Sequence, residues 1–118
     1  MQAPLNKEIE YMTKANSTLT PLLPKSGFLY IGETGLEYRS EAGSGFIQIP
    51  WTNVTQIRAQ LFFGGRYVRG FYVATDDDQL LEFIVADGKN CLRAMRQHLD
   101  RSQFVVHEGN LTNLFKRK

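Results

Sequence analysis

The chain has 118 residues, of which 42% are hydrophobic and 22% charged, with a formal net charge of +2. These values are typical of one globular domain and exclude a disordered chain or a strongly basic nucleic-acid-binding domain. A single cysteine, Cys91, excludes an intramolecular disulfide and favours a reducing compartment. The sequence lacks the apolar stretch of a signal peptide and any run near the ~20 residues of a membrane span. We expect one cytoplasmic domain over 1–118, with an ordered core over about 9–101 and a tail over 102–118 that docks on it.

The first half of the chain predicts short strands separated by turns. The segment 9–19 is compatible with an amphipathic helix, but the β-branched and aromatic residues of its alternating pattern favour a strand. Two prolines and a glycine place a loop at 20–27, and Pro50 ends a later strand because it cannot donate to a ladder. Strands are predicted at 28–31, 36–40 and 46–49.

A pair of glycines, Gly64 and Gly65, separates two alternating runs, 54–63 and 66–75. Two successive glycines are typical of a two-residue hairpin turn, because both central residues take positive φ. Such a turn fixes the register, so the sequence predicts which residues stand opposite each other and share a face. One face, expected in the core, carries the pairs Ile57/Tyr72, Ala59/Gly70 and Leu61/Val68. The other carries Phe62/Tyr67, Gln60/Arg69 and Arg58/Phe71.

The second half ends in the only segment with a clear helical period. A strand is predicted at 80–86, and a helix at 89–99 that begins after a capping residue, Asp87, and gathers its apolar residues on one side. About seven strands followed by one helix predict a mainly β protein with one C-terminal helix. The order is that of a pleckstrin-homology-like fold: a bent antiparallel sheet or partly open barrel, capped by the amphipathic helix.

The outward face of the hairpin is the predicted partner-binding site, and we call it the docking face. It combines arginine with aromatic side chains, which are the residue types enriched at protein interfaces. The competing interpretation is an ordinary solvated sheet face, or one covered by the tail. The predicted members of the docking face are Arg58, Phe62, Arg66, Tyr67, Arg69 and Phe71.

Catalytic, cofactor-binding and metal-binding motifs are not found. Gly64 and Gly65 lie between strands rather than before a helix, so they lack the helix dipole that phosphate binding uses. The three aspartates at 76–78 lack the spacing of a calcium loop, and neither His98 nor His107 has partners at metal-ligand spacing. We therefore predict that the chain is not an enzyme and holds no cofactor or metal.

Two segments carry a resemblance to a known family: Phe-Ile-Gln-Ile-Pro-Trp at 46–51 and Ala-Gln-Leu-Phe-Phe-Gly-Gly-Arg at 59–66. The chain resembles the small mannose-operon regulator (ManO-like) family of Gram-positive bacteria, whose function is unknown. Family members often have Gly-Gly-Lys-Trp at the turn, where this chain has Gly-Gly-Arg-Tyr and so keeps the charge and the aromatic ring. Shorter stretches at 14–18, 27–32, 35–38, 92–96 and 111–117 support the resemblance.

The resemblance implies a role beside the mannose-class sugar phosphotransferase permease, next to which such proteins are typically encoded. It implies no catalytic residues. We therefore predict a non-enzymatic accessory or regulatory protein that docks on this membrane-embedded permease complex and lies in the cytoplasm or at the inner face of the membrane.

Three alternatives stay open. The first is a transcriptional regulator that binds the operon's DNA, which is disfavoured because the core claims the only predicted helix. The second is a membrane-binding module of the pleckstrin-homology-like type, touching lipid through Lys89, Arg93 and Arg96 or the basic tail at 114–118. The third is pairing of two copies through an exposed strand edge.

Overall fold

The computed structural model describes residues 4–17, 25–41 and 45–106. Most of these residues lie in strands, and two short 3₁₀ turns flank the second half. The strands are β1 (Ile9–Ser17), β2 (Lys25–Gly32), β3 (Gly35–Ser40), β4 (Phe46–Pro50), β5 (Val54–Phe62), β6 (Tyr67–Thr75), β7 (Leu80–Val85) and β8 (Phe104–Val106). The helix is α1 (Gly88–Met95), and the 3₁₀ turns are Trp51–Asn53 and Arg101–Gln103.

The eight strands form one sheet in the order β4-β3-β2-β1-β7-β6-β5-β8. All neighbours are antiparallel except β5 and β8, which run parallel. The mainly β fold with one helix is confirmed over the described ranges. The sheet stays open, with β4 and β8 at its edges, rather than closing into a barrel.

Local signals placed most elements correctly. The segment beginning at Ile9 is a strand, as its alternation favours, and α1 begins at the predicted cap, where the Asn90 N–H donates to Asp87 Oδ1 (3.5 Å). The helix is shorter than predicted, because turns replace it after Met95. Residues 102–106, which the sequence assigned to the tail, form the end of a 3₁₀ turn and the eighth strand, β8, along β5. The rest of the predicted tail, 107–118, lies outside the described residues.

The core lies between α1 and one face of the sheet. Cys91 and Met95 are fully buried on the inner side of the helix. On the sheet, the rings of Phe71 and Phe83 lie 6.0 Å apart, and Tyr38 packs 5.9 Å from Phe83 on the other side. These aromatic residues join β3, β7 and β6 across the sheet, so the two halves of the chain share one core.

A buried carboxylate fastens the N-terminal segment to β3. Glu37 is only 2% exposed, and its oxygens accept hydrogen bonds from Leu5 N–H (2.8 Å), Asn6 N–H (3.2 Å), Asn6 Nδ2 (3.1 Å) and Gln48 Nε2 (3.1 Å). Burial acts to raise the pKa of Glu37, but the hydrogen bonds from Leu5, Gln48 and Asn6 outweigh it and lower the pKa below its usual range. Folding of this segment is therefore linked to ionisation of Glu37.

The lowered pKa predicts an acid-dependent contribution to stability. It is fully present above the unfolded-state pKa of about 4.3 and is lost as the pH falls through the lower folded-state pKa. Glu37→Gln should therefore lower the free energy of unfolding by about 1–3 kcal/mol at neutral pH, and by less in acid. Urea unfolding across this pH range measures the difference. Glu41→Gln, at an exposed position just after β3, is the matched control and should change stability little; a Glu37→Gln deficit that does not shrink in acid would contradict the assignment.

Candidate functional site

The hairpin that carries the docking face has a register different from the predicted one. Its first ladder pairs, Phe62/Tyr67 and Leu61/Val68, are as predicted. A β-bulge follows: Gln60 pairs with Gly70, which leaves Arg69 as an extra, unpaired residue of the ladder. From there to the Gln56/Ala74 pair, β6 is shifted by one residue relative to β5.

This shift overturns the prediction that Phe71 belongs to the docking face. Phe71 stands opposite Ala59, is 0% exposed and packs on Phe83 in the core. Tyr72 takes the outward position instead, opposite Arg58. A one-residue slip reverses which side chains point outward, so this correction changes the chemistry of the face.

The cause of the bulge is the close approach of β6 to β7 at Gly70. A Cβ built on Gly70 would lie 2.1 Å from the carbonyl oxygen of Phe83 and 2.9 Å from the Cα of Ile84. Only glycine fits at such a distance, and a glycine inside a strand is typical of a bulge or a close backbone approach. Gly70 was visible in the sequence, but the predicted register was derived from the Gly64-Gly65 turn alone and did not allow for a bulge.

The remaining predicted members of the docking face are at the surface. Arg66 and Arg69 are exposed, Arg58 is half-buried, and Phe62 and Tyr67 are 45% and 46% exposed. Arg58 is held in place because its Nε–H donates to Gln56 Oε1 at 2.8 Å. The structure thus brings five of the six predicted residues to one hairpin, three of them cationic.

A polar cluster lies at the centre of this face. Gln60 Nε2 donates to a carboxylate oxygen of Glu82, which stands on β7 opposite Tyr72. Burial raises the pKa of Tyr72, and the charge and hydrogen bond of Glu82 add to this effect. Gln60 is 7% exposed, so its hydrogen bond to Glu82 is shielded from solvent.

At the loop end of the docking face, Phe63 and two members of that face, Phe62 and Tyr67, form an aromatic tip. The three ring centroids lie 6.4–6.5 Å from one another, and Phe63 is 76% exposed. Phe63 also has a φ of 55°, a left-handed conformation that costs a bulky residue about 1 kcal/mol or more. The exposed position of Phe63 was not predicted, because the alternating pattern extends the first strand to this residue. The loop instead has four residues, 63–66.

The helix cations of the membrane alternative have local partners. Arg93 Nη1 donates to Asn90 Oδ1 (3.3 Å), and Arg96 Nη1 donates to the Leu99 carbonyl (3.1 Å) while its guanidinium lies 6.0 Å from the centre of the Phe104 ring. Lys89 is exposed. The basic tail at 114–118 lies outside the described residues.

Cys91 and His98, which were considered for reactivity and metal binding, are packed against other side chains of the domain. Burial raises the pKa of the Cys91 thiol to about 12, and His98 stacks on Trp51 at 5.2 Å while its Nε2 lies 2.6 Å from Glu10 Oε1. Across 4–17, 25–41 and 45–106, no three His, Cys, Asp or Glu side chains converge to hold a metal. No helix in those ranges is long and apolar enough to cross a membrane. His107 lies outside them.

Comparison with protein families matches residues 1–118 to a family described as a domain of unknown function, DUF956. The chain belongs to this family. No curated protein matches it. Among solved structures, it is similar to the C-terminal domain of an unknown protein from Leishmania infantum, with a TM-score of 0.66 and 12% identity over 76% of this chain and 82% of that one. At 12% identity, this similarity shows only that the two chains share a fold. It gives no information about activity.

The observed register predicts a large loss of stability for one phenylalanine of the hairpin and a small loss for another. Phe71→Ala should lower the free energy of unfolding by about 3–5 kcal/mol, because it empties a fully buried site. Phe62→Ala, which removes a half-exposed ring, should cost about 1 kcal/mol or less. Urea unfolding of both variants measures this, and similar losses for the two would mean that the assignment of faces is incorrect.

Proposed function

We propose that this protein is a non-enzymatic accessory or regulatory protein that docks on the membrane-embedded permease complex of a mannose-class sugar phosphotransferase system. The observation that carries the proposal is the docking face, revised to Arg58, Phe62, Arg66, Tyr67, Arg69 and Tyr72. The resemblance of segments 46–51 and 59–66 to the mannose-operon regulator family supports the choice of partner. The proposed location is the cytoplasm and the inner face of the membrane.

The charge of the hairpin favours an acidic partner surface. Between Arg58 and Thr75 the sequence contains three arginines and no aspartate or glutamate. Arg66 and Arg69 are exposed, so each guanidinium is available for a bidentate contact with a carboxylate of the partner. Glu82, from β7, also lies on this face and accepts a hydrogen bond from Gln60; the three arginines exceed its single negative charge.

The face also has the properties of a preorganised interface. Arg58 is oriented by Gln56, and the Gln60–Glu82–Tyr72 cluster connects β5, β7 and β6. Less side-chain entropy is lost when such groups bind, so more of the contact energy appears as affinity. Phe62 and Tyr67 add apolar area next to the charges, which is the composition of binding hot spots.

The DNA-binding alternative gains no specific support from the described residues. The α1 helix buries Cys91 and Met95 against the sheet, so its inner side is not available to a major groove. Of its cations, Arg93 is hydrogen-bonded to Asn90. The described residues therefore favour docking on a protein over binding to DNA.

Reversing two charges of the docking face should abolish docking. In Arg58→Glu/Arg69→Glu, the arginines that meet the acidic partner become repulsive, so co-purification with detergent-solubilised permease subunits should fall at least about tenfold. The melting temperature should change little, because Arg69 is exposed and the half-buried Arg58 donates its Nε–H to Gln56, a neighbour on the same strand. Tagged protein, a solubilised membrane fraction and quantitative mass spectrometry provide the measurement.

The matched control is Lys89→Glu/Arg93→Glu on the exposed side of α1, which makes the same change in net charge away from the docking face. It should keep co-purification at the wild-type level. Permease binding retained by the docking-face variant, or lost equally in both variants, would overturn the proposal.

A further inference from the structure

The aromatic tip projects beyond the strands that support the rest of the hairpin. In the described residues, β6 pairs with β7 only from Gly70 to Ala74, and β5 pairs with β8 only from Ile57 to Ala59. Phe62, Phe63 and Tyr67 therefore lie beyond the pairing with β7 and β8, next to Val68, where the start of α1 packs on β6. Three contiguous aromatic side chains are therefore partly exposed at the loop end of the hairpin, with Phe63 the most exposed of them.

One cation lies beside these rings in the loop, and a second lies behind them on β6. Arg66 closes the loop next to Tyr67, and Arg69 is the bulged residue two positions further along β6. At about 3.3 Å per residue, Arg69 lies roughly 7 Å behind Tyr67 along the strand. This spacing matches the depth of about 5–10 Å to which interfacial apolar groups enter a bilayer while neighbouring cations stay among the headgroups.

We propose that the aromatic tip inserts into the interfacial region of a membrane rich in anionic lipid. Phe62 and Phe63 enter the boundary of the acyl chains, the Tyr67 hydroxyl stays at headgroup level, and Arg66 and Arg69 contact lipid phosphates. This contact needs no permease. It competes with the docking proposed above, because the two contacts share four residues: Phe62, Arg66, Tyr67 and Arg69.

The shape of the tip favours a lipid surface over a protein pocket. The rings are tilted by 43–55° relative to one another and project around a loop, so they form a convex cluster rather than a flat patch. A fluid interface accommodates such a cluster without a complementary cavity. Phe63 has a left-handed φ, as do the two glycines that follow it, and its ring is the most exposed of the three.

The test uses the full chain and protein-free vesicles. Flotation with vesicles of equal parts phosphatidylglycerol and phosphatidylcholine should recover the wild-type protein, and phosphatidylcholine alone should recover at least about tenfold less. Phe62→Ser/Phe63→Ser should reduce binding to the anionic vesicles by at least about tenfold. The matched control, Met12→Ser/Phe46→Ser, removes two exposed apolar side chains from β1 and β4 (52% and 43% exposed) and should bind like the wild type.

Insertion is measured separately from adsorption. In Phe63→Trp, brominated lipid in the vesicles should quench the introduced indole, while the buried Trp51 provides an unquenched reference in the wild type. Circular dichroism checks that each variant is folded.

Absence of vesicle binding would overturn the proposal, as would binding that is unaffected by the tip variant or occurs without quenching. Loss of permease capture by the tip variant with no vesicle binding would instead assign the tip to a protein partner; vesicle binding without permease capture would leave this inference standing and overturn only the docking proposal.

Discussion

The close packing of β6 against β7 at Gly70 is the constraint on which the functional face depends. A side chain at this position would overlap the Phe83 carbonyl, so the two backbones approach as only glycine permits. The ladder with β5 accommodates the approach by a bulge at Arg69. As a result Phe71 enters the core, Tyr72 faces outward, and Arg69 stands clear of the ladder where a partner can reach it.

The start of the helix packs against the same hairpin close to its loop. A Cβ on Gly88, the first residue of α1, would lie 2.5 Å from Val68, so the start of the helix sits directly on β6. Its capping residue, Asp87, also accepts a hydrogen bond from the Tyr11 hydroxyl (2.7 Å), which connects the helix to β1. The hairpin therefore holds Arg58 and Arg69 on paired strands and exposes the aromatic tip at the loop that joins them.

Local patterns in the sequence predicted the elements well and their pairing less well. Alternation identified the strands, and the helical period with Asp87 identified α1, because both depend on neighbours in the chain. The register of β5 and β6 depended on contact with β7, and the two-residue turn expected from Gly64 and Gly65 gave no information about that contact. β8 was missed because a three-residue strand paired in parallel with β5 has almost no local signal.

In the candidate site too, local patterns predicted some residues correctly and misplaced those that depend on strand pairing. The arginines at 58, 66 and 69 and the pair Phe62/Tyr67 followed from composition and from the first ladder pairs, which the bulge does not affect. Phe71 was misplaced and Tyr72 overlooked because both lie beyond the bulge. The attachment of residues 4–8 to Glu37 and Glu33 was not predicted, since it joins a short polar segment to groups about 30 positions away through backbone donors.

The bulge is tested most directly by interstrand nuclear Overhauser effects in the isotopically labelled protein. The account predicts cross-strand contacts between the backbones of Ala59 and Phe71 and of Arg58 and Tyr72, with the Phe71 ring close to Phe83. Cross-strand contacts between Arg58 and Phe71 and between Ala59 and Gly70 would contradict it, because they would restore an unbroken register and return Phe71 to the surface.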